Sequence, residues 1–198
     1  KIFLSLISAL KDRNGENIAK ITAEFLSTKG YPKDSDIRRD IVERKLYGGG
    51  DKQSKTKFIL ESIEESYNHK ERIILENLSI EHIMPKTLND WWTEYLGEEG
   101  IEWHEDYVDV LGNLTLTGYN SELSNMSFER KKGFYSQSHL EINGYFNSID
   151  SWKPDDVRER GLLLANLIIE RWKYFGKEYT ATKETVTGLW PTELTIKG

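Results

Sequence analysis

The chain has 198 residues, is 37% hydrophobic and 30% charged, and carries a net charge of −6 at pH 7. That length can bury one good core, and a 12% aromatic content with six Trp argues against disorder. There is no Cys, which excludes disulfides and cysteine-ligated zinc. The apolar run from Ile2 to Leu10 meets Lys11-Asp12-Arg13 with no small-residue cleavage site, so it reads as a helix cut from a longer protein rather than a signal peptide. No stretch approaches the ~20 apolar residues of a membrane span, so a soluble, cytoplasmic protein is expected.

Residues 1–76 read as helices. Ile18, Ile21, Phe25 and Leu26 have helical spacing, and Gly30-Tyr31-Pro32 stops that helix. Asp34 or Ser35 can cap the next, which is expected to run through Ile37, Ile41, Val42 and Leu46 to the Gly48-Gly49-Gly50 break. Asp51 to Lys55 reads as a flexible loop, and Phe58, Ile59, Ile63 and Tyr67 as a further helix. Leu78, Ile80 and Ile83 then suggest a short strand with His82 near its end, stopped by Pro85. Trp91, Trp92, Tyr95 and Leu96 suggest an inserted helix, and Leu114 and Leu116 alternate with Thr115 and Thr117 as a second strand should.

Asn120 reads as the N-cap of the next short helix. Another helix is expected from Ser127 past Phe134, and one with Leu140, Ile142, Tyr145 and Phe146. Pro154 suits the first position of a long, largely buried helix carrying Val157 to Trp172. The tail after Tyr179 is Thr-rich. Charge is distributed unevenly. From Thr87 to Glu129 there are ten acids and no Lys or Arg, so the remainder of the chain is net positive. Such a segment repels phosphate unless it faces away from it or a cation intervenes.

Phosphodiester hydrolysis needs an activated water, neutralised phosphoryl oxygens and help for the leaving oxygen. A His can be the base, and a divalent ion on hard oxygen ligands can stabilise the developing charge. Glu81-His82-Ile83-Met84-Pro85, then Leu111-Gly112-Asn113-Leu114-Thr115-Leu116, then Asn120, supply residues of these kinds. On a regular strand Glu81 and His82 point to opposite faces, so both serve one site only if the strand ends or bends there.

This pattern resembles the ββα-metal (HNH) nuclease motif, and more closely the C-terminal nuclease domain of GmrSD-like, modification-dependent restriction proteins. The likeness is strongest over Leu78 to Leu164. It implies a mainly α fold of the α+β class with a small ββα-metal element. It divides the chain into a helical segment (1–76), a nuclease core (77–150), and a closing helix and tail (151–198), together one compact domain. It also implies a divalent-metal-dependent endonuclease with a single Mg²⁺ or Mn²⁺ site, acting on DNA as the effector of a phage-defence restriction protein. An N-terminal ParB-like NTPase domain, on the same or a partner chain, would control it.

By the same resemblance His82 is the general base, Asn113 orients its ring through the amide or the backbone, and Glu81 with Asn120 holds the metal. Glu stands where the family commonly has Asp, and Asn120 comes only seven residues after Asn113, which leaves Asn125 as the alternative ligand. Arg130, Lys131 and Lys132 are the first cations after the acidic stretch and are expected to grip phosphate, with the acids turned away from the duplex. His104, His139 and His69 are weaker candidates, and Arg160 either pairs with a site carboxylate or packs. The rival readings are a catalytically silent helical module that docks the NTPase domain, and an RNA nuclease.

Overall fold

A computed structural model describes residues 1–11, 13, 17–67, 69–70 and 73–174; the Thr-rich tail lies outside the described residues. The elements in chain order are α1 (Ile2–Leu10), α2 (Ile18–Ser27), α3 (Asp34–Glu43), α4 (Lys52–Ser66), β1 (Ser79–His82), α5 (Asp90–Tyr107), β2 (Leu114–Thr117), α6 (Asn120–Leu123), α7 (Phe128–Tyr135), α8 (Glu141–Gly144) and α9 (Pro154–Arg171). The fold is mainly α with one small β element, the α+β class expected. No described helix is long and apolar enough to cross a membrane.

β1 and β2 pair antiparallel, with Ser79 opposite Thr117, Ile80 opposite Leu116, Glu81 opposite Thr115 and His82 opposite Leu114. All four β2 residues are buried, Thr115 and Thr117 included, so the alternation marks two covered faces rather than one wet face. Thr115 can be buried because its hydroxyl donates to Asn143 Oδ1 at 2.5 Å. One apolar cluster, with Ile83, Met84, Trp92, Phe128, Phe146, Trp152 and Val157, lies under the loop after β1. A second joins Ile80, Leu114 and Leu116 to Ile41 of α3, Leu60 and Ile63 of α4, and Leu164 and Ile168 of α9. The leading helical segment therefore shares the core of the hairpin.

Three local expectations are revised. Helix α3 stops at Glu43 rather than continuing to Leu46, because the chain there turns extended to bridge Lys45 with Val110, and the Leu46 and Tyr47 N–H groups donate to the Asp109 carbonyl. Helix α4 begins at Lys52, inside the stretch read as a loop, and exposed lysines with an i,i+4 Lys55–Asp51 pair suit that first turn. Asn120 is the first helical residue of α6 and not its cap.

Helix α9 closes the fold. Pro154 opens it, and the Asp156 carboxylate accepts from the Lys153 N–H at 2.7 Å. Its backbone comes so close to the turn before β2 that a Cβ on Gly112 would lie 2.1 Å from the Val157 carbonyl oxygen. Only glycine fits there.

Candidate active site

β1 ends at His82, and Asn113 fixes the path of the chain beyond it. The Asn113 main-chain carbonyl accepts from Ile83 N–H at 3.0 Å. Its amide Nδ2 donates to the carbonyls of Met84 and Val108, and its Oδ1 accepts from Met84 N–H and from Trp152 Nε1, all within 2.8–2.9 Å. An amide has two donors and two acceptor sites, and here all four are used. Asn113 is fully buried and makes no contact with the imidazole among these bonds. It anchors the main chain just past His82, with Arg160 behind it. The Arg160 guanidinium is fully buried and donates through Nη1 to the Gly112 and Leu114 carbonyls at 2.8 and 2.7 Å. It packs over the Phe146 ring at 4.9 Å and pairs with no carboxylate among the described residues, so burial lowers its pKa to about 10.

The group that orients the imidazole is Asp109. His82 Nε2 lies 2.9 Å from Asp109 Oδ1. A carboxylate only accepts, so the neutral imidazole carries its proton on Nε2 and leaves Nδ1 as the lone-pair nitrogen. Burial pushes the His82 pKa below its ordinary 6.5, while Asp109 opposes that shift. The Tyr47 ring meets the imidazole edge-on, with centroids 4.6 Å apart. Lys86 Nζ stands 3.6 Å from Asp109 Oδ1 and 5.2 Å over the Tyr47 ring. Sequence reading missed Asp109, since it is one of ten acids in its stretch and the fold alone selects it.

Glu81 and His82 line the same open pocket of about 240 Å³, with Pro85, Lys86, Thr87, Ser124 and Asn125. Asn120 is exposed at the start of α6, and the residue of that segment on the pocket wall is Asn125. Glu81 is buried, and its Oε1 accepts from Lys131 Nζ at 2.6 Å. The same ammonium donates to the His82 carbonyl at 2.7 Å. Burial pushes the Glu81 carboxyl up and the Lys131 ammonium down, and their mutual attraction opposes both shifts.

The three cations expected on the phosphate side thus part company. Lys131 is wholly inside, Lys132 reaches Asp150 at 3.0 Å, and Arg130 is exposed. Lys86, which sequence reasoning did not single out, is the cation on the pocket wall. Of the weaker candidates, His104 Nε2 bonds the Pro85 carbonyl at 2.8 Å and steadies the loop, His69 sits beside Glu64, and His139 is exposed.

Among the described residues no cluster of three or more His, Cys, Asp or Glu is arranged to hold a metal. The pocket donors, a Glu81 carboxylate and an Asn125 amide, nevertheless fit Mg²⁺, which binds through one or two carboxylates and leaves its other positions to water and substrate phosphate.

This arrangement lies within a restriction-endonuclease type of domain. The family model for the C-terminal domain of GmrSD restriction endonucleases matches residues 31–167, and the chain belongs to that family. The match takes in α3 and the Tyr47 segment as well as the hairpin. No curated protein matches the chain.

Proposed function

We propose that the chain is a metal-dependent endonuclease of the HNH type that hydrolyses DNA phosphodiester bonds, the effector part of a phage-defence restriction protein. The observation that carries this reading is His82 at the open end of β1, its Nε2 held by Asp109 at 2.9 Å and its pocket shared with Glu81 and Asn125. Nδ1 of His82 takes the proton of the attacking water. Asp109 keeps the opposite nitrogen protonated and stabilises the imidazolium as it forms. Asn113 and Arg160 hold the main chain that aims the ring. Glu81 and Asn125 would hold the divalent ion, with Asn120 the alternative to Asn125. When bound, the ion supplies charge neutralisation at the phosphoryl and leaving oxygens. Lys86 faces the phosphate, and control falls to a ParB-like NTPase domain on this or a partner chain.

A second reading is a catalytically silent docking module for that NTPase domain, favoured by the Lys131 ammonium already on Glu81. Plasmid cleavage with Mg²⁺, Mn²⁺ and Ni²⁺ decides between them. The nuclease reading expects cleavage by the wild-type chain and at least about 10²-fold slower cleavage by His82→Ala; no cleavage by either, or equal cleavage by both, sinks it. A parallel single-stranded RNA substrate cut in preference to DNA would reassign the substrate.

A further inference from the structure

Helix α7 buries Phe128, Lys131 and Tyr135 on one face. Its period, then, and not a substrate, puts the lysine inside. Among the described residues Lys131 is the one buried lysine. Its ammonium bridges two groups at the end of β1, Glu81 Oε1 at 2.6 Å and the His82 carbonyl at 2.7 Å. Removing one partner of such a pair leaves the other charge buried and uncompensated, which is strongly destabilising. Glu81 is also the carboxylate on the pocket wall beside Asn125.

We propose that Lys131 is a built-in cation of the site: its ammonium holds the Glu81 carboxylate in the metal-free protein, and an incoming divalent ion competes with it for Glu81. The inference rests on the reading of Glu81 as a cation ligand. An ion that reaches Glu81 would meet a carboxylate already paired with the Lys131 ammonium. Its affinity for the protein alone would therefore be held low. Lys131 acts through Glu81 and the strand end, so it is a positioning residue and not a DNA contact.

The test compares wild type with Lys131→Met, Lys131→Arg, Glu81→Gln and the Glu81→Gln/Lys131→Met double variant. Mn²⁺ titration calorimetry is the first readout and thermal unfolding with and without Mn²⁺ the second. Lys131→Met should bind Mn²⁺ about tenfold more tightly or better, since a like charge a few ångströms away is gone. It should also gain more in Tm from Mn²⁺ than wild type does. Lys131→Arg should stay near wild type. The double variant should lose the tightened binding and recover part of the Tm lost in Lys131→Met. Mn²⁺ affinity in Lys131→Met equal to or weaker than wild type overturns the proposal.

If Lys131→Met does not fold, recovery by Mn²⁺ during refolding or by adding Glu81→Gln supports the counter-ion role; recovery by neither shows a packing residue and overturns it. These readouts do not need turnover. A chain that binds Mn²⁺ as expected and cleaves nothing would sink the nuclease reading and leave this one standing. Cleavage without tightened binding in Lys131→Met would do the reverse.

Discussion

Two sets of polar groups around the β1–β2 hairpin use their hydrogen bonds differently. In one set, Asn113, Asn143 and Arg160 are fully buried and bond main-chain carbonyls, and each Asn113 amide site is used. In the other set, Glu81, His82 and Lys86 line an open pocket, and His82 keeps one ring nitrogen outside the Asp109 bond. Hydrogen bonds spent on backbone hold a shape, while groups left with a spare lone pair or charge can act on something that arrives. On the proposed function, the comparison separates residues that would perform chemistry from residues that would position it, and Asn113 falls among the second.

Substitutions can break or sharpen that division. The largest effect is expected for His82→Ala, which should lower plasmid cleavage by about 10²–10⁴-fold, the usual worth of a positioned base, with little change in unfolding temperature. Asp109→Asn should come next, with kcat down by about 10²-fold through the wrong tautomer and near-native stability; a large stability loss here would place Asp109 with the buried residues that hold the fold. Asn113→Ala should show the opposite signature. It leaves the Met84 N–H and C=O, the Val108 C=O and the Trp152 Nε1–H without their Asn113 partner, at roughly 1–3 kcal/mol for each buried group left unsatisfied, so denaturant unfolding should shift strongly and turnover should fall with it. If Asn113→Ala kept its stability and lost only turnover, the distinction would collapse.

Smaller effects concern pH and salt. Burial lowers the His82 pKa, so the base form persists below the ordinary 6.5. The pH profile of kcat/KM should therefore level off at a lower pH than a free imidazole would give, and fall only as pH drops through the lowered value. A midpoint above 6.5 would mean that Asp109 outweighs burial. Lys86→Gln should reduce the magnitude of the salt slope of DNA binding by roughly 0.9, and Arg130→Gln or Lys132→Gln by no more than that. Lys131→Met should leave the slope unchanged, whereas an equal reduction would return Lys131 to the phosphate side.

Much of this was legible in the chain. The Glu81-His82-Ile83-Met84-Pro85 run, the Leu114–Thr117 alternation and Pro154 each carry a local signal, and the hairpin and α9 stand where those signals lie. Asp109 was not legible. Its role depends on packing of the residue-109 segment against the end of β1 and on backbone bonds from Leu46 and Tyr47, which no local pattern encodes. Lys131 was half legible: Arg130-Lys131-Lys132 looks like a solvated run, yet Phe128, Lys131 and Tyr135 keep helical spacing and already mark the middle lysine as inward. The bonding partners of Asn113 were not legible for a related reason, since an amide after Gly in a turn can bond ring or backbone, and only tertiary placement decides.

The Arg160 clamp also sets the order in which the molecule can mature. The residue that fastens the Gly112 and Leu114 carbonyls lies 48 and 46 positions further along the chain, on the last described helix. Domains fold as units while the ribosome feeds them out, and long-range contacts close late. A nascent chain can hold its strands, its histidine and its carboxylates clear of the exit tunnel and still lack the brace that aims them. On the proposed nuclease function, cutting competence therefore arrives only once α9 has emerged, and an abortive product released before that point is a fragment that cannot turn on its host.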